Sequence, residues 1–220
     1  LAMTCDGNHR WCALDPRRGT ALVVAEAAMN LACVGARPLG LVNCLNFGNP
    51  EHPEVMWQLV ESIEGMGEAC RALGIPVIGG NVSLYNESRG RDIDPTPVVG
   101  LVGIVDRLDR RPPGVRLGEG LALIALGPEP RSTAGSRWAW ERGHQAGPAP
   151  ELDLVAHAAV AALVRELVAE GLLFGVHDTA DGIGVALAEM AVRSGEGFHV
   201  RPRVPEPAWP DSVATSQRAA

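Results

Sequence analysis

Three short stretches of the chain carry residue types suited to phosphates and hard cations. The first is Gly79-Gly80-Asn81-Val82-Ser83, which follows Pro76-Val77-Ile78. Two glycines without Cβ atoms let a ligand or a neighbouring backbone come close. Asn81 and Ser83 lie two apart, so on an extended chain they point to one face. The second stretch runs from Asn43 to Asn49 around Leu45-Asn46-Phe47-Gly48. The third is His177-Asp178-Thr179-Ala180-Asp181-Gly182, which opens a helix. Each also reads as an ordinary turn, because strand ends rich in Gly, Asn and Asp both bind ligands and reverse the chain.

Other groups fit the same chemistry. Asp6, Glu26, Glu87, Asp178 and Asp181 are the carboxylates outside the charged linkers that could face magnesium, a cation that takes oxygen ligands and keeps waters and substrate phosphates. Asn81 offers a further oxygen. Asp181 reads first as an N-cap for the helix that follows. If residues 172–176 form a strand, His177 and Asp178 point to opposite faces, and His177 is then a structural histidine rather than half of an acid–base pair. Cys44 reads as a small buried filler and His9 as an inert turn residue.

These stretches need elements to hold them. Residues 1–5 read as the end of a strand, followed by an Asp6-Gly7-Asn8 turn. A helix is expected from about Arg18 to Val34, with Gly35 beyond its end. A buried strand spans Pro38 to Leu45, and a second helix spans Glu54 to Leu73, closed by Gly74. Residues 76–85 read as a buried strand, 86–95 as a polar loop and Thr96 to Val105 as another strand. The charged, proline-rich segment 106–119 is the best domain boundary. Beyond it, strands are expected at Gly120–Leu126 and Leu172–Val176, helices at Leu152–Glu170 and Gly184–Arg193, a loop with one short helix across 127–149, a further strand start at Phe198–Val200 and a loose tail at 201–220. Alternating helices and strands imply a layered α+β or α/β architecture.

Composition excludes several classes. The chain has 220 residues, a net charge of -7 and 19 basic residues, every one of them arginine. Without lysine it has no Walker lysine and no Schiff-base lysine. The acidic balance argues against a nucleic-acid surface, and no apolar run is long enough for a membrane span. Cys5, Cys12, Cys33, Cys44 and Cys70 include no Cys-x-x-Cys pair, which disfavours zinc and suits reduced, mostly buried thiols in a cytoplasmic protein. The chain opens on Leu1, as a segment from inside a longer protein would.

The ordered set Thr4-Cys5-Asp6-Gly7-Asn8, Val24-Ala25-Glu26-Ala27 with Asn30, Cys44-Leu45-Asn46-Phe47-Gly48-Asn49-Pro50-Glu51, Gly80-Asn81-Val82-Ser83-Leu84-Tyr85-Asn86-Glu87, Pro95-Thr96-Pro97-Val98-Val99-Gly100 and His177-Asp178-x-x-Asp181-Gly182 resembles the small-type synthetase subunits of phosphoribosylformylglycinamidine synthase, in their second half. The resemblance covers roughly residues 1–200. It implies a domain of the aminoimidazole ribonucleotide synthase superfamily at 1–108, a linker at 109–119 and the carboxy-terminal α/β domain of that superfamily at 120–200. It implies ATP-dependent amidation of formylglycinamide ribonucleotide with ammonia from glutamine, with ATP and magnesium as cofactors. The implied partners are a glutaminase subunit (PurQ), a small subunit (PurS) and the upstream half of the same chain. Carried over by motif, Asn43 and Gly80 are implied to contact ATP, Asn81 magnesium and Ser83 the substrate.

This sequence departs from the family pattern in places. Asn43 stands where the family can carry Asp, Asp181-Gly182-Ile183 stands where Asp-Gly-Gly is usual, and the tail past 200 does not match. The family's catalytic histidines lie upstream, so this segment is expected to be inactive alone. Two rivals stand beside that reading. One is another ATP-using enzyme of the superfamily, of the selenophosphate synthetase, thiamine-monophosphate kinase or hydrogenase-maturation type. The other is a non-catalytic half that holds a structural nucleotide.

Overall fold

The computed structural model describes residues 1–107, 109–128 and 132–200. The expectation for the 201–220 tail lies outside the described residues.

The amino-terminal half is a four-stranded sheet with helices over one face. Strands β1 (Ala2–Gly7), β2 (Arg37–Asn46), β3 (Val77–Ser83) and β6 (Thr96–Ile104) lie in the order β1-β6-β2-β3. β6 runs antiparallel to both β1 and β2, and β2 runs parallel to β3. A parallel pair needs a crossover, and α3 (Pro53–Leu73) supplies it. Strict alternation along β6 buries Pro97, Val99, Leu101 and Gly103 on the helix side, as the two-residue period of a half-covered sheet requires.

Helix α2 (Pro16–Cys33) lies at the centre of this layer. Asp15 caps it by accepting from the Arg18 N–H at 2.9 Å, and Pro16 occupies the first turn, where its missing N–H costs nothing. Val23, Val24, Ala27 and Leu31 are buried with Leu41, Phe47, Val99 and Leu101. The short α1 (His9–Leu14) precedes it, with Asn8 as N-cap. Helices α2 and α3 touch at Gly65, where an added Cβ would overlap the Arg17 carbonyl. Arg17 ties the same pair by binding Glu68 and Glu61.

The structure corrects the sequence reading in several places. β3 is not buried. It is an edge strand, paired only with β2, and Ile78 is 66 % exposed. Residues 86–95 are not a plain loop, since β4 (Glu87–Ser88) and β5 (Arg91–Asp92) form a small hairpin. The strands expected at 120–126, 172–176 and 198–200 do not form among the described residues. A strand needs a partner for its main-chain groups, and among the described residues Val176 finds one such bond, its N–H donating to Gly114 O at 3.0 Å. Leu121, Ile124, Leu172 and Phe174 are left exposed.

The helices of this half do form: α4 (Arg137–Glu141), α5 (Leu154–Glu170) and α6 (Ile183–Ser194). Asp153 caps α5 at the Val155 and Ala156 N–H groups, and Gly171 ends it in a left-handed conformation. Helix α5 packs on α2 and α3, and His157 Nε2 lies 2.9 Å from Ala25 O. Among the described residues, no helix is long and apolar enough to cross a membrane.

The contact at Gly65 gives a direct test. Gly65→Ala should destabilise the chain by about 1–3 kcal/mol, as expected for overpacking. Gly67→Ala, whose Cβ would meet only the flexible Arg71 guanidinium, should be neutral or stabilising by up to about 1 kcal/mol. Urea unfolding of both variants measures the difference, and equal effects would remove the close helix approach as its cause.

Candidate functional site

At the β1 edge of the sheet lies an acidic cleft of about 180 Å³, lined by Glu26, Asn30, His177, Asp178, Asp181, Gly182 and Glu189 among others. Each side chain arrives for a local reason. Glu26 and Asn30 are four apart on α2, so they share a face one above the other. Asp6 sits on the helix-facing side of β1 and accepts from Asn30 Nδ2 at 2.8 Å and from Thr4 Oγ1 at 2.6 Å. Asp178 and Asp181 come from the turn before α6, where Ala180 N–H donates to Asp178 Oδ2 at 3.1 Å.

This turn departs from the sequence reading. His177 Nδ1 lies 3.0 Å from Asp178 Oδ1, and its Nε2 lies 2.7 Å from Glu189 Oε2. Residues 172–176 are not a strand, so the alternation that would separate His177 from Asp178 does not operate. Nor is Asp181 the N-cap of α6. That position is Gly182 at φ 98°, with no side-chain cap. Asp181 instead faces Arg10 at 3.9 Å.

The electrostatics of the cleft are unbalanced. Burial first, and then the charges of Asp6, Asp178 and Asp181, push Glu26 up to about 8, with Arg10 pulling weakly the other way. Asp6 is also raised, chiefly by burial, while its bonds from Thr4 and Asn30 oppose the shift. Carboxylates crowded in a low-dielectric cleft disfavour their own ionisation, and a cation reverses that. Carboxylate and carboxamide oxygens are what magnesium takes. Among the described residues no three His, Cys, Asp or Glu side chains converge closely enough to hold a bare ion. The donor set therefore fits a cation that brings further oxygens with it, as a nucleotide polyphosphate does. The uncapped N-terminus of α6, whose Gly182, Val185 and Ala186 line the same cleft, offers N–H groups to those oxygens.

Asn43, Gly80, Asn81 and Ser83 lie elsewhere, on β2 and β3 toward the opposite edge of the sheet. In register, Asn43 stands beside Gly80, Cys44 beside Asn81 and Asn46 beside Ser83. Asn43 faces the helices, its Nδ2 donating to Met66 Sδ at 3.5 Å. The space a Gly80 Cβ would fill is taken by the Asn43 side chain and main-chain oxygen. Asn81 and Ser83 face the uncovered side with Cys44 and Asn46, so the structure pairs Asn43 with Gly80 and Asn81 with Ser83 but separates the two pairs by the thickness of the sheet. Cys44 is half-buried within contact of Asn46 and has no histidine beside it.

Of the five carboxylates read as magnesium candidates, Asp6, Glu26, Asp178 and Asp181 come together, while Glu87 lies on the distant hairpin. Asn30 belongs with the four. The Glu26-x-x-x-Asn30 spacing on one helix face was the available signal.

Residues 1–105 match the family model for the AIR synthase related protein, N-terminal domain. The chain is 52% identical over 202 residues to the subunit PurL of phosphoribosylformylglycinamidine synthase from Moorella thermoacetica, an alignment covering 91% of the chain and 28% of the relative. It is 43% identical to PurL of an Anaeromyxobacter species over its whole length, covering 30% of that protein. The phosphoribosylformylglycinamidine synthase II structure from Thermotoga maritima matches at a TM-score of 0.53 and 25% identity, over 77% of this chain and 24% of that one. A structure described as T. maritima PurL complexed with FGAR matches at the same TM-score and identity, over 77% of this chain and 23% of that one. The chain thus resembles PurL over most of its length and spans under a third of those relatives.

The Glu26 environment predicts a pH response. Its folded-state value lies above the ordinary value of 4.5. Its contribution to stability is therefore full below about pH 4.5 and is lost as pH rises through about 8. In metal-free buffer Glu26→Gln should melt higher than the parent, with a gap that widens from pH 5 to pH 8. A gap independent of pH would remove the ionisation of Glu26 as the source.

Proposed function

We propose that this chain is the second-half segment of a PurL-type synthetase subunit, which converts formylglycinamide ribonucleotide and ammonia to the amidine at the expense of ATP. In that reaction the glycinamide carbonyl oxygen, not the formyl oxygen, attacks the γ-phosphorus of ATP and ADP leaves. Ammonia then adds to the activated carbon, and phosphate departs with the oxygen. The reading is supported by the relatives' identity over most of the chain and by one observation above others: the convergence of Asp6, Glu26, Asn30 and Asp178 at the N-terminus of α6. Magnesium, when bound, would neutralise polyphosphate charge there and at Asn81. The chain's own residues would then orient the ligands. At the cleft, the Asp6 and Asp178 carboxylates would face the cation and the α6 amides the phosphate oxygens. At the β2–β3 edge, Asn43 and Gly80 would line the ATP, Asn81 the magnesium-bound phosphates and Ser83 the ribonucleotide.

The cleft serves best as a structural nucleotide site. It lies toward the sheet edge opposite Asn81 and Ser83, and its histidine is held between two carboxylates rather than beside a nucleophile. Catalysis would then fall to the β2–β3 edge together with residues outside this chain. The proposed domain division is 1–108, a linker at 109–119 and a second unit at 120–200. The uncovered sheet face, where Met3 is 78 % exposed, suits burial against the upstream half. A glutaminase subunit and a small subunit would complete the assembly in the cytoplasm and supply ammonia directly.

Two measurements test this reading. Nucleotide carried by the purified intact subunit should remain bound through washing with labelled ATP if the cleft is structural, and full exchange on the turnover timescale would refute that role. Asn81→Ala in the intact subunit should lower magnesium-dependent ATP turnover at least tenfold, the scale of a lost charge-assisted contact, with melting unchanged. An unaltered rate would take Asn81 out of the metal site.

A further inference from the structure

The turn after β3 fixes the polarity of Ser83. Asn86 lies three residues on, beyond Tyr85, whose φ of 59° is unusual for a side chain of its size. The Asn86 main-chain N–H donates to Phe47 O at 3.1 Å. Its carboxamide Nδ2 donates to Phe47 O at 3.0 Å and to Ser83 O at 2.9 Å, and also lies 3.1 Å from Ser83 Oγ. Its Oδ1 lies 3.2 Å from Ser83 Oγ. A carboxamide has two N–H hydrogens, and a main-chain carbonyl can only accept. The two carbonyls take both hydrogens and fix which way the amide faces. Ser83 then meets Oδ1, an acceptor, and must spend its one proton there. What the hydroxyl has left for a ligand is lone pairs.

We propose that Asn86 is a positioning residue that holds Ser83 as a hydrogen-bond acceptor, so that Ser83 receives a hydroxyl or amide N–H of the substrate and not a phosphate oxygen. This rests on the placement of Ser83 at the substrate made above. An ionised phosphate brings acceptors alone and would find no donor at this hydroxyl. A ribose hydroxyl or an amide N–H would instead find an acceptor there. The same carboxamide bonds join the end of β3 to the end of β2, so the hydroxyl's direction and the shape of the strand ends are set together. The sequence places Asn86 inside a family-like run, but nothing in its spacing shows that both its hydrogens are committed.

The test uses the intact subunit with Ser83→Ala, Asn86→Ala and the double variant. Each single change should raise KM for the ribonucleotide about tenfold, the worth of one net hydrogen bond, with kcat altered much less. The double variant should be no worse than Ser83→Ala, because Asn86 acts through a group already removed. The Ser83→Ala penalty should be the same for inhibition by the 5′-dephosphorylated riboside as for the ribonucleotide. Penalties that multiply to about a hundredfold in the double variant would overturn the positioning role, as would an Asn86→Ala effect without a Ser83→Ala effect. A penalty that vanishes with the riboside would overturn the acceptor polarity. If neither variant moves KM, Ser83 does not meet the substrate, and the earlier placement fails along with this one. Should Asn86→Ala not fold, the riboside comparison on Ser83→Ala decides alone.

Discussion

Helix α2 meets the sheet through alanine, valine and leucine: Val23, Val24, Ala27 and Leu31 pack against Leu41, Val99 and Leu101. Short side chains let the helix axis lie close, and that distance places Asn30 Nδ2 2.8 Å from Asp6 Oδ1. The same helix brings Glu26 to the rim of the cleft, receives α3 at Gly65 and receives α5 at its back. A bulkier residue on the sheet-facing stripe of α2 would lift the helix and separate Asn30 from Asp6. Core packing and cleft chemistry are thus one constraint, because two of the cleft's polar groups, Glu26 and Asn30, ride on the helix that fills the core.

The position of Glu26 shows what that arrangement costs. Burying a carboxylate near Asp6, Asp178 and Asp181 disfavours its charge, and the surrounding fold tolerates it because α2 is held on several sides. Functional sites commonly store such unfavourable electrostatics where rigid elements impose it. The orientation of α6 adds the complementary feature. Its first turn lacks a side-chain cap, so N–H groups that a Ser or Asp would otherwise satisfy remain available at the cleft. Acidic side chains and open amides together suit a ligand with both cationic and anionic parts.

The amino-terminal fold was legible because its signals are local. A short apolar run marked β6, helical spacing and Gly74 marked α3, and Gly35 marked the end of α2. The cleft was partly legible, since Asp6 lies near the end of a strand, Asp178 and Asp181 precede a helix and Glu26 is a carboxylate within α2, all with oxygens that suit a cation. Their convergence was not, because it depends on the turn before α6 reaching the Glu26 face of α2 from about 150 residues further along the sequence. The misreadings share one physical origin. Apolar runs such as 120–126 and 172–176 have strand composition, but a strand exists only through its neighbours, and no ladder pairs those residues here. Once 172–176 is not a strand, the rule that separates His177 from Asp178 fails with it. β3 failed in the opposite sense: it forms, but as an edge strand its side chains are not covered.

Gly80 shows why motif chemistry needs a fold before it becomes a site. From sequence, the Gly79-Gly80 pair reads as space for a ligand or for neighbouring backbone. In the structure the Gly80 space is occupied from within by Asn43, and Gly79 has only a distant contact with Val42 at 3.9 Å. The first consequence is that the strands can carry Asn43 and Gly80 on the helix side while Asn81 and Ser83 face the other. The second is that a ligand touching all four must wrap the edge of the sheet past Gly79, where nothing but backbone stands in the way. An exposed edge strand is ordinarily a liability. Here the same exposure leaves the two faces of β3 continuous, which a buried central strand could not do.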